Sequence, residues 1–276
     1  MDEGIRSLNN EQVKQWAALQ TKKGRDKSGT FLIEGAHVVG EAFHSGAKVD
    51  TILYIPGSPA VRELGGSGLG FGPEQQSGGA RWVPVSDAVM AKVADAQTPQ
   101  GVAAVVKMPD YGFEPLLAAA QNGLFVAVDA VQDPGNLGTI IRSADAVGAT
   151  AVLVGKGSAD VYNPKTVRST MGSLFHVPVV PCNLADVLPI ARSSGVKVIA
   201  ASLGATHTCF DADYAGAVCF LVGNEGAGVS AELLAMADET VIIPIPGRAE
   251  SLNVAMAATV LLYETVRQRL VYNTKK

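Results

Sequence analysis

Three stretches of this chain carry polar residues at spacings that could do chemistry. The first runs Asp129-Ala130-Val131-Gln132-Asp133-Pro134-Gly135-Asn136-Leu137-Gly138-Thr139-Ile140-Ile141-Arg142. It follows an apolar run, so Pro134 and Gly135 make a turn, Asn136 is a candidate helix N-cap, and Arg142 falls nearly two turns along the helix. Leu137, Ile140, Ile141, Ala144 and Val147 supply that helix with its packing face, and Arg142 stands out against that apolar pattern. The second stretch, Phe220 to Ser230, leaves an apolar strand and passes Gly223, Gly226 and Gly228 before a helix, so backbone must come close to something. Its spacing is GxxGxG rather than GxGxxG, and Glu225 would set negative charge against a pyrophosphate, which argues against a dinucleotide-dependent oxidoreductase. The third, Val241 to Val254, leaves a strand through Pro244, Pro246 and Gly247, a stiff extended exit. Ser251 or Asn253 could cap the helix that follows, which runs to about Arg269 and packs through Leu261, Leu262 and Val266.

The elements around these stretches read as α/β. Continuous apolar runs at Leu124–Val128, Ala151–Val154, Val196–Ala201, Val218–Val222 and Thr240–Ile243 alternate with helical segments, the pattern of a parallel sheet covered on both faces. Ligands on such sheets gather beyond the carboxyl ends of the strands, where all three stretches lie. Upstream, residues 8–23 have helical periodicity and Gly24–Gly29 reads as a basic loop. Thr30–Ile33, Val49–Ile55, Trp82–Val85 and Gly101–Lys107 read as strands, with helices at Gly35–Ser45 and at Ala88–Ala94 after a Ser86-Asp87 cap, together a small α/β sandwich. Residues 56–80 carry eight glycines and read as a flexible loop broken by Ala60–Leu64. The expected organisation is a small N-terminal α/β domain over residues 1–108, a linker and helix over 109–121 (the helix at Glu114–Gln121), and a C-terminal parallel-sheet domain over 122–276.

Composition narrows the class. The chain has 276 residues, 47% of them hydrophobic and 17% charged, which fits two compact domains and excludes a mainly disordered chain. No apolar run reaches about 18 residues and the start lacks a signal-peptide pattern, so a cytoplasmic protein without a membrane partner is expected. Cys182, Cys209 and Cys219 lack CxxC spacing, and His37, His44, His176 and His207 are scattered, so no metal site is expected. The formal charge of −4 gives no bulk signature of nucleic-acid binding. Local charge governs phosphate contact, however, and Lys22, Lys23, Arg25 and Lys27 are opposed nearby only by Asp26.

Taken in order, NLGTIIR, VGNEGAGVS and IPIPGRAESLNVA resemble the three signature motifs of the SpoU branch of the SPOUT methyltransferases, over about Leu124 to Arg269. FLIEGAHVVGEA at Phe31–Ala42 and TPQGVAAV at Thr98–Val105 resemble the substrate-binding domain of the rRNA-type enzymes, itself similar to ribosomal proteins that bind kinked RNA. The resemblance implies a C-terminal sheet domain closed by a deep trefoil knot, a homodimer whose partner completes each site, and S-adenosylmethionine as methyl donor. It implies Gly223, Asn224, Ile243 and Leu252 at the donor, and Arg142 as the main catalytic residue with Asn136, Glu225, Ser251 and Asn253 around it. The implied reaction is methylation of a ribose 2′-hydroxyl in structured RNA, with 23S-type rRNA ahead of tRNA because compact tRNA enzymes of the family usually lack the N-terminal domain. A non-catalytic RNA-binding or ribosome-assembly factor is the alternative, and the intact polar set argues against it. Lys22, Lys23, Arg25 and Lys27 are the candidate RNA contacts.

Overall fold

The structure, a computed structural model, describes residues 4–66, 79–118 and 122–273. The chain forms two compact units, one of Met1–Pro109 with Tyr162–Phe175 and one of Asp110–Val161 with His176–Lys276. The first contains α1 (Glu11–Ala18), α2 (Lys22–Ser28), β1 (Thr30–Glu34), α3 (Ala36–His44), β2 (Val49–Tyr54), α4 (Pro59–Gly66), β3 (Arg81–Pro84), α5 (Asp87–Val93) and β4 (Val102–Lys107). Its sheet has the order β1-β4-β2-β3, with β4 antiparallel to both neighbours and β2 parallel to β3. Val13 and Trp16 of α1 pack with Leu53, Val83, Met90 and Val105 in one core. Truncating Trp16 there would cost about 3–5 kcal/mol.

Two segments of this unit differ from the sequence expectation. The helix and basic loop are in fact two helices: the Thr21 hydroxyl accepts the Gly24 N–H at 3.1 Å to start α2, which ends at left-handed Gly29. Gly24 is required by close approach rather than by a turn, since a Cβ there would lie 2.0 Å from the Ala18 carbonyl oxygen. Within the glycine-rich stretch, Pro59–Gly66 is helical and buries Ala60 and Leu64. The rest of the expected loop, residues 67–78, lies outside the described residues, as do residues 119–121 of the helix expected to run to Gln121.

The second unit contains α6 (Phe113–Ala118), β5 (Leu124–Val128), α7 (Pro134–Ala146) and β6 (Ala151–Val154). The chain then supplies α8 (Pro164–Thr170) and a 3-10 turn (Ser173–Phe175) to the first unit, where Phe31 lies 4.7 Å from Tyr162 and 6.3 Å from Phe175 between ring centroids. It resumes with β7 (Val179–Pro181), α9 (Leu184–Ser193), β8 (Lys197–Ala201), β9 (His207–Thr208), β10 (Val218–Val222), α10 (Ala231–Leu234), β11 (Glu239–Ile242) and α11 (Val254–Asn273). The sheet has the order β7-β6-β5-β10-β8-β11-β9, and every neighbouring pair is parallel. Every residue of β5, β6 and β10 is buried, as continuous apolar strands require. The edge strands β7 and β9, three and two residues long, are too short to leave a pattern in sequence.

Helix α7 meets α11 through small residues, with Ala144, Ala255 and Ala258 buried and the Ser143 and Thr259 hydroxyls hydrogen-bonded at 2.7 Å. Burial pushes the Cys182 thiol up to about 11 and the Cys219 thiol up to about 12, so both behave as core residues. Among the described residues no helix is long and apolar enough to cross a membrane.

Candidate functional site

The order of the central strands brings the carboxyl ends of β10, β8 and β11 side by side, with β5 on the other flank of β10. Beyond β5, Pro134 opens α7, and the N-cap is Asp133, whose carboxylate accepts the Asn136 N–H at 2.9 Å. This corrects the sequence assignment of Asn136 as the cap. A proline at the first helical position needs no capped N–H of its own, which moves the cap one residue before it and frees the Asn136 side chain for longer-range partners.

Beyond β10, Asn224 and Gly228 exchange backbone hydrogen bonds of 2.9 Å in both directions, folding Asn224–Gly228 into a tight loop that turns at left-handed Gly228. A Cβ on Gly223 would stand 2.1 Å from the Gly228 carbonyl carbon, so this loop exists only with glycine at 223. The Asn224 amide is spent on the loops: Nδ2 donates to the Ala130 carbonyl at 2.9 Å, and Oδ1 accepts the N–H groups of Gly226 and Ala227 at 2.9 and 3.0 Å. Asn224 can therefore meet a ligand only through its backbone or the outer face of its side chain.

Glu225 reaches across to the first segment. Its Oε1 accepts the Asp133 N–H at 3.1 Å and the Asn136 Nδ2 at 2.9 Å, and its Oε2 accepts the Gln132 N–H at 3.2 Å. Partial burial pushes this carboxyl upward, but donation from Asn136 and from the backbone of Glu225, Asp133 and Gln132 outweighs it and holds the group below the ordinary glutamate value. A carboxylate accepts only, so Asn136 must present its NH2 to Glu225 and its oxygen elsewhere. That oxygen accepts the Nδ2 of Asn253 at 3.0 Å. Asn253 also caps α11, its Oδ1 accepting the Ala255 N–H at 2.9 Å, which decides between the two candidate caps. The chain Asn253 to Asn136 to Glu225 thus links all three segments. Ser251 is exposed beside it.

A cavity of about 490 Å³ opens at these strand ends, within the roughly 300–1,000 Å³ of ordinary ligand sites. Gly223, Asn224, Ile243 and Leu252 line it, together with Glu225, Ser251 and Asn253. The site residues expected from sequence are therefore brought together, with two qualifications: Asn136 reaches the cavity through Glu225 and Asn253, and Arg142 is exposed on α7 outside its lining. Ala201 at the end of β8, Ser202 and Leu203 after it, and Ile245, Val254 and Ala257 also line it and were missed. The first three end or follow the apolar run Val196–Ala201, so the carboxyl-end rule is the signal that points to them. Among the described residues the charged ones in the lining are Glu225 and Glu250, with no lysine or arginine. Such a wall suits a ligand with an apolar body and positive charge, and disfavours a polyphosphate. Among the described residues no three His, Cys, Asp or Glu side chains converge as a metal site would need.

In the first unit, Lys23 and Lys27 stand exposed one turn apart on α2, and Lys22 is paired with Asp26 at 2.7 Å. Arg25, expected beside them as an RNA contact, is only 2% exposed, and its Nη1 donates to the Leu19 carbonyl at 2.7 Å. This corrects its assignment: α2 folds back on α1, and Arg25 satisfies the Leu19 carbonyl at the end of α1.

Residues 123–263 match the SpoU rRNA Methylase family, and residues 10–104 match the MRM3-like substrate binding domain. The chain is 42% identical over 259 residues to the 23S rRNA (guanosine(2553)-2'-O)-methyltransferase RlmP of Bacillus subtilis, covering 94% of this chain and 97% of that one. It is 36% identical to the 23S rRNA (uridine(2479)-2'-O)-methyltransferase of Streptomyces viridochromogenes, over 95% of this chain and 91% of the relative. Among solved structures, the SpoU methyltransferase AviRb from Streptomyces viridochromogenes in complex with the cofactor AdoMet superposes with a TM-score of 0.83 at 34% identity, covering 95% of this chain and 99% of that one.

Proposed function

Since this chain belongs to the SpoU rRNA methylase family, we propose that it transfers a methyl group from S-adenosylmethionine to a ribose 2′-hydroxyl of large-subunit rRNA. The observation that carries this reading is the cavity at the ends of β10, β8 and β11, whose charged lining residues among those described are acidic and which the Asn253-Asn136-Glu225 chain borders. Gly223, Ile243 and Leu252 would hold the donor, with Glu225 and Glu250 offsetting its positive charge. The bound donor supplies an already activated sulfonium methyl.

The residues of the chain have the harder task, since a ribose hydroxyl is a poor nucleophile that must be aligned and relieved of its proton. Asn136 and Asn253 fix the loops around that alignment. A guanidinium offers donors and no acceptor, which suits Arg142 to holding an anion better than to taking a proton. It binds the neighbouring phosphate and stabilises the oxygen as its proton leaves to that phosphate or to water. Lys23 and Lys27 mark the RNA-gripping face of residues 1–108, and residues 109–121 lead into the catalytic domain. The homodimer and the knot belong to the same reading. Met256, Tyr263 and Leu270, exposed at seven-residue spacing along α11, support a partner there, and the position of β10 between the earlier strands β5 and β8 supports the threading.

Labelled S-adenosylmethionine offered with 23S rRNA and, separately, bulk tRNA tests the proposal, with product mapped by alkali-resistant 2′-O-methyl linkages. Labelled rRNA lost in Arg142→Ala and in Arg142→Lys is the expected result, the lysine failing because it lacks the planar fork. Labelling of tRNA alone would redirect the substrate, and near-native turnover by Arg142→Lys would overturn the role given to the guanidinium.

A further inference from the structure

Asp129 opens the first segment yet lies outside the cavity lining, and the mechanism above leaves it without a task. It is 9% exposed and follows β5 directly, its N–H bonding the Val222 carbonyl at 2.8 Å and so extending the β5–β10 ladder by one rung. Its Oδ2 accepts the Ser230 N–H at 2.8 Å. Ser230 is where the loop after β10 ends and α10 begins, and its own side chain makes no capping bond.

The loop that walls the cavity is therefore gripped three times by the exit from β5. Asn224 donates to Ala130 at its start, Glu225 accepts from Gln132 and Asp133 in its middle, and Asp129 holds Ser230 at its end. Each loop lends the other a carboxylate. Ala130 takes a left-handed φ of 53°, a strained conformation for a residue with a Cβ, and it bears the carbonyl that Asn224 holds. We infer that Asp129 is a positioning residue for methyl transfer, setting the donor-side wall at a fixed distance from the Asn136 end of α7. The inference rests on the methyl-transfer reading of the cavity.

Amide hydrogen exchange at Ser230 in the ligand-free protein examines the grip without turnover. Asp129→Ala is expected to speed it at least tenfold, and an unchanged rate would overturn the inference. In turnover, Asp129→Ala should raise the donor Kd and lower kcat on the order of tenfold or more while the RNA KM stays within about twofold. Asp129→Asn, which keeps an oxygen for the Ser230 N–H, should recover most of kcat. Because Asp129 and Glu225 hold the same two loops, the double variant Asp129→Ala/Glu225→Ala should be little worse than the poorer single one, whereas fully additive losses would refute a shared grip. If Asp129→Ala does not fold, Ser230→Pro removes the donated N–H, with a hydroxyl that makes no capping bond, at a residue whose φ of −60° suits proline, and the same kcat loss is expected. A wild type with no transfer to any RNA would defeat the methyl-transfer reading, and Ser230 exchange would still decide whether the grip exists.

Discussion

Asn253 donates to the side-chain oxygen of Asn136 at 3.0 Å, although the two residues are 117 positions apart. This bond ties the start of α11 to the first turn of α7, and Asn136 passes the constraint on to Glu225 at 2.9 Å. One carboxamide therefore serves as acceptor on one side and donor on the other, a polarity that an ionised carboxylate cannot supply.

Replacing Asn136 by Asp keeps the acceptor for Asn253 but turns a second carboxylate toward Glu225. Like charges at that separation disfavour ionisation of the pair, so Glu225 should lose its depressed pKa and kcat should fall by about two orders of magnitude at neutral pH. Activity followed from pH 6 to 8 checks this, and an unchanged rate would show that the Asn136–Glu225 bond does not matter to turnover.

The pH dependence of stability should carry two opposite signatures. Glu225 has a folded pKa below its unfolded one, so its contribution is complete above the unfolded value and lost as pH falls through the folded one. Glu34 is the reverse: burial raises its pKa, despite N–H donation from Ala96 and the nearby Arg168 charge, and its Oε1 is buried without a hydrogen-bond partner. Its contribution is present at acid pH and lost as pH rises through the raised value. Urea unfolding across pH 4 to 7 should find Glu34→Gln gaining on the wild type as pH rises, and Glu225→Gln flattening the acid limb.

Gly223→Ala isolates the loop from the network. The added methyl has no room against Gly228 and Val229, where the nearest atoms would lie 2.1 to 2.2 Å away, and all of them are backbone. Calorimetric titration should show donor affinity reduced at least tenfold while circular dichroism reports an intact fold. Native affinity would mean that the loop can re-form without its close contact.

The basic residues of α2 should separate by burial. Lys23→Glu and Lys27→Glu leave thermal stability near wild type but weaken RNA binding, with a shallower dependence on salt as phosphate contacts are lost. Arg25→Ala should do the opposite, destabilising the protein by about 1–3 kcal/mol through the unpaired Leu19 carbonyl. Filter binding over a salt series, beside melting curves, distinguishes them.

How far the sequence could be read depended on how local each determinant is. Five strands of the sheet, β5, β6, β8, β10 and β11, were legible because their apolar runs are continuous, as was the Ser86 cap of α5, whose hydroxyl takes the Val89 N–H three residues on. The three segments were legible by resemblance, and the structure brings them to one end of the sheet. Arg25 was misplaced because its burial is set by the return of α2 over α1, which a charged six-residue stretch does not announce. The split of roles between Asp133 and Asn136 was missed because either residue type caps a helix equally well, and the choice rests on a partner at position 225. Ala201 and Leu203 were passed over because an apolar side chain at a strand end carries no chemical label.

The return of Tyr162–Phe175 to the first unit also has a consequence in time. Phe31, 1% exposed in the finished protein, is covered by rings that are translated only after β5, α7 and β6. Until Phe175 has left the ribosome, the N-terminal sheet carries an uncovered aromatic face, so this protein cannot complete its modules in the order in which they are made. A gene cut after Pro109 would express that unfinished state permanently, and the fragment should aggregate unless Tyr162–Phe175 is supplied in trans.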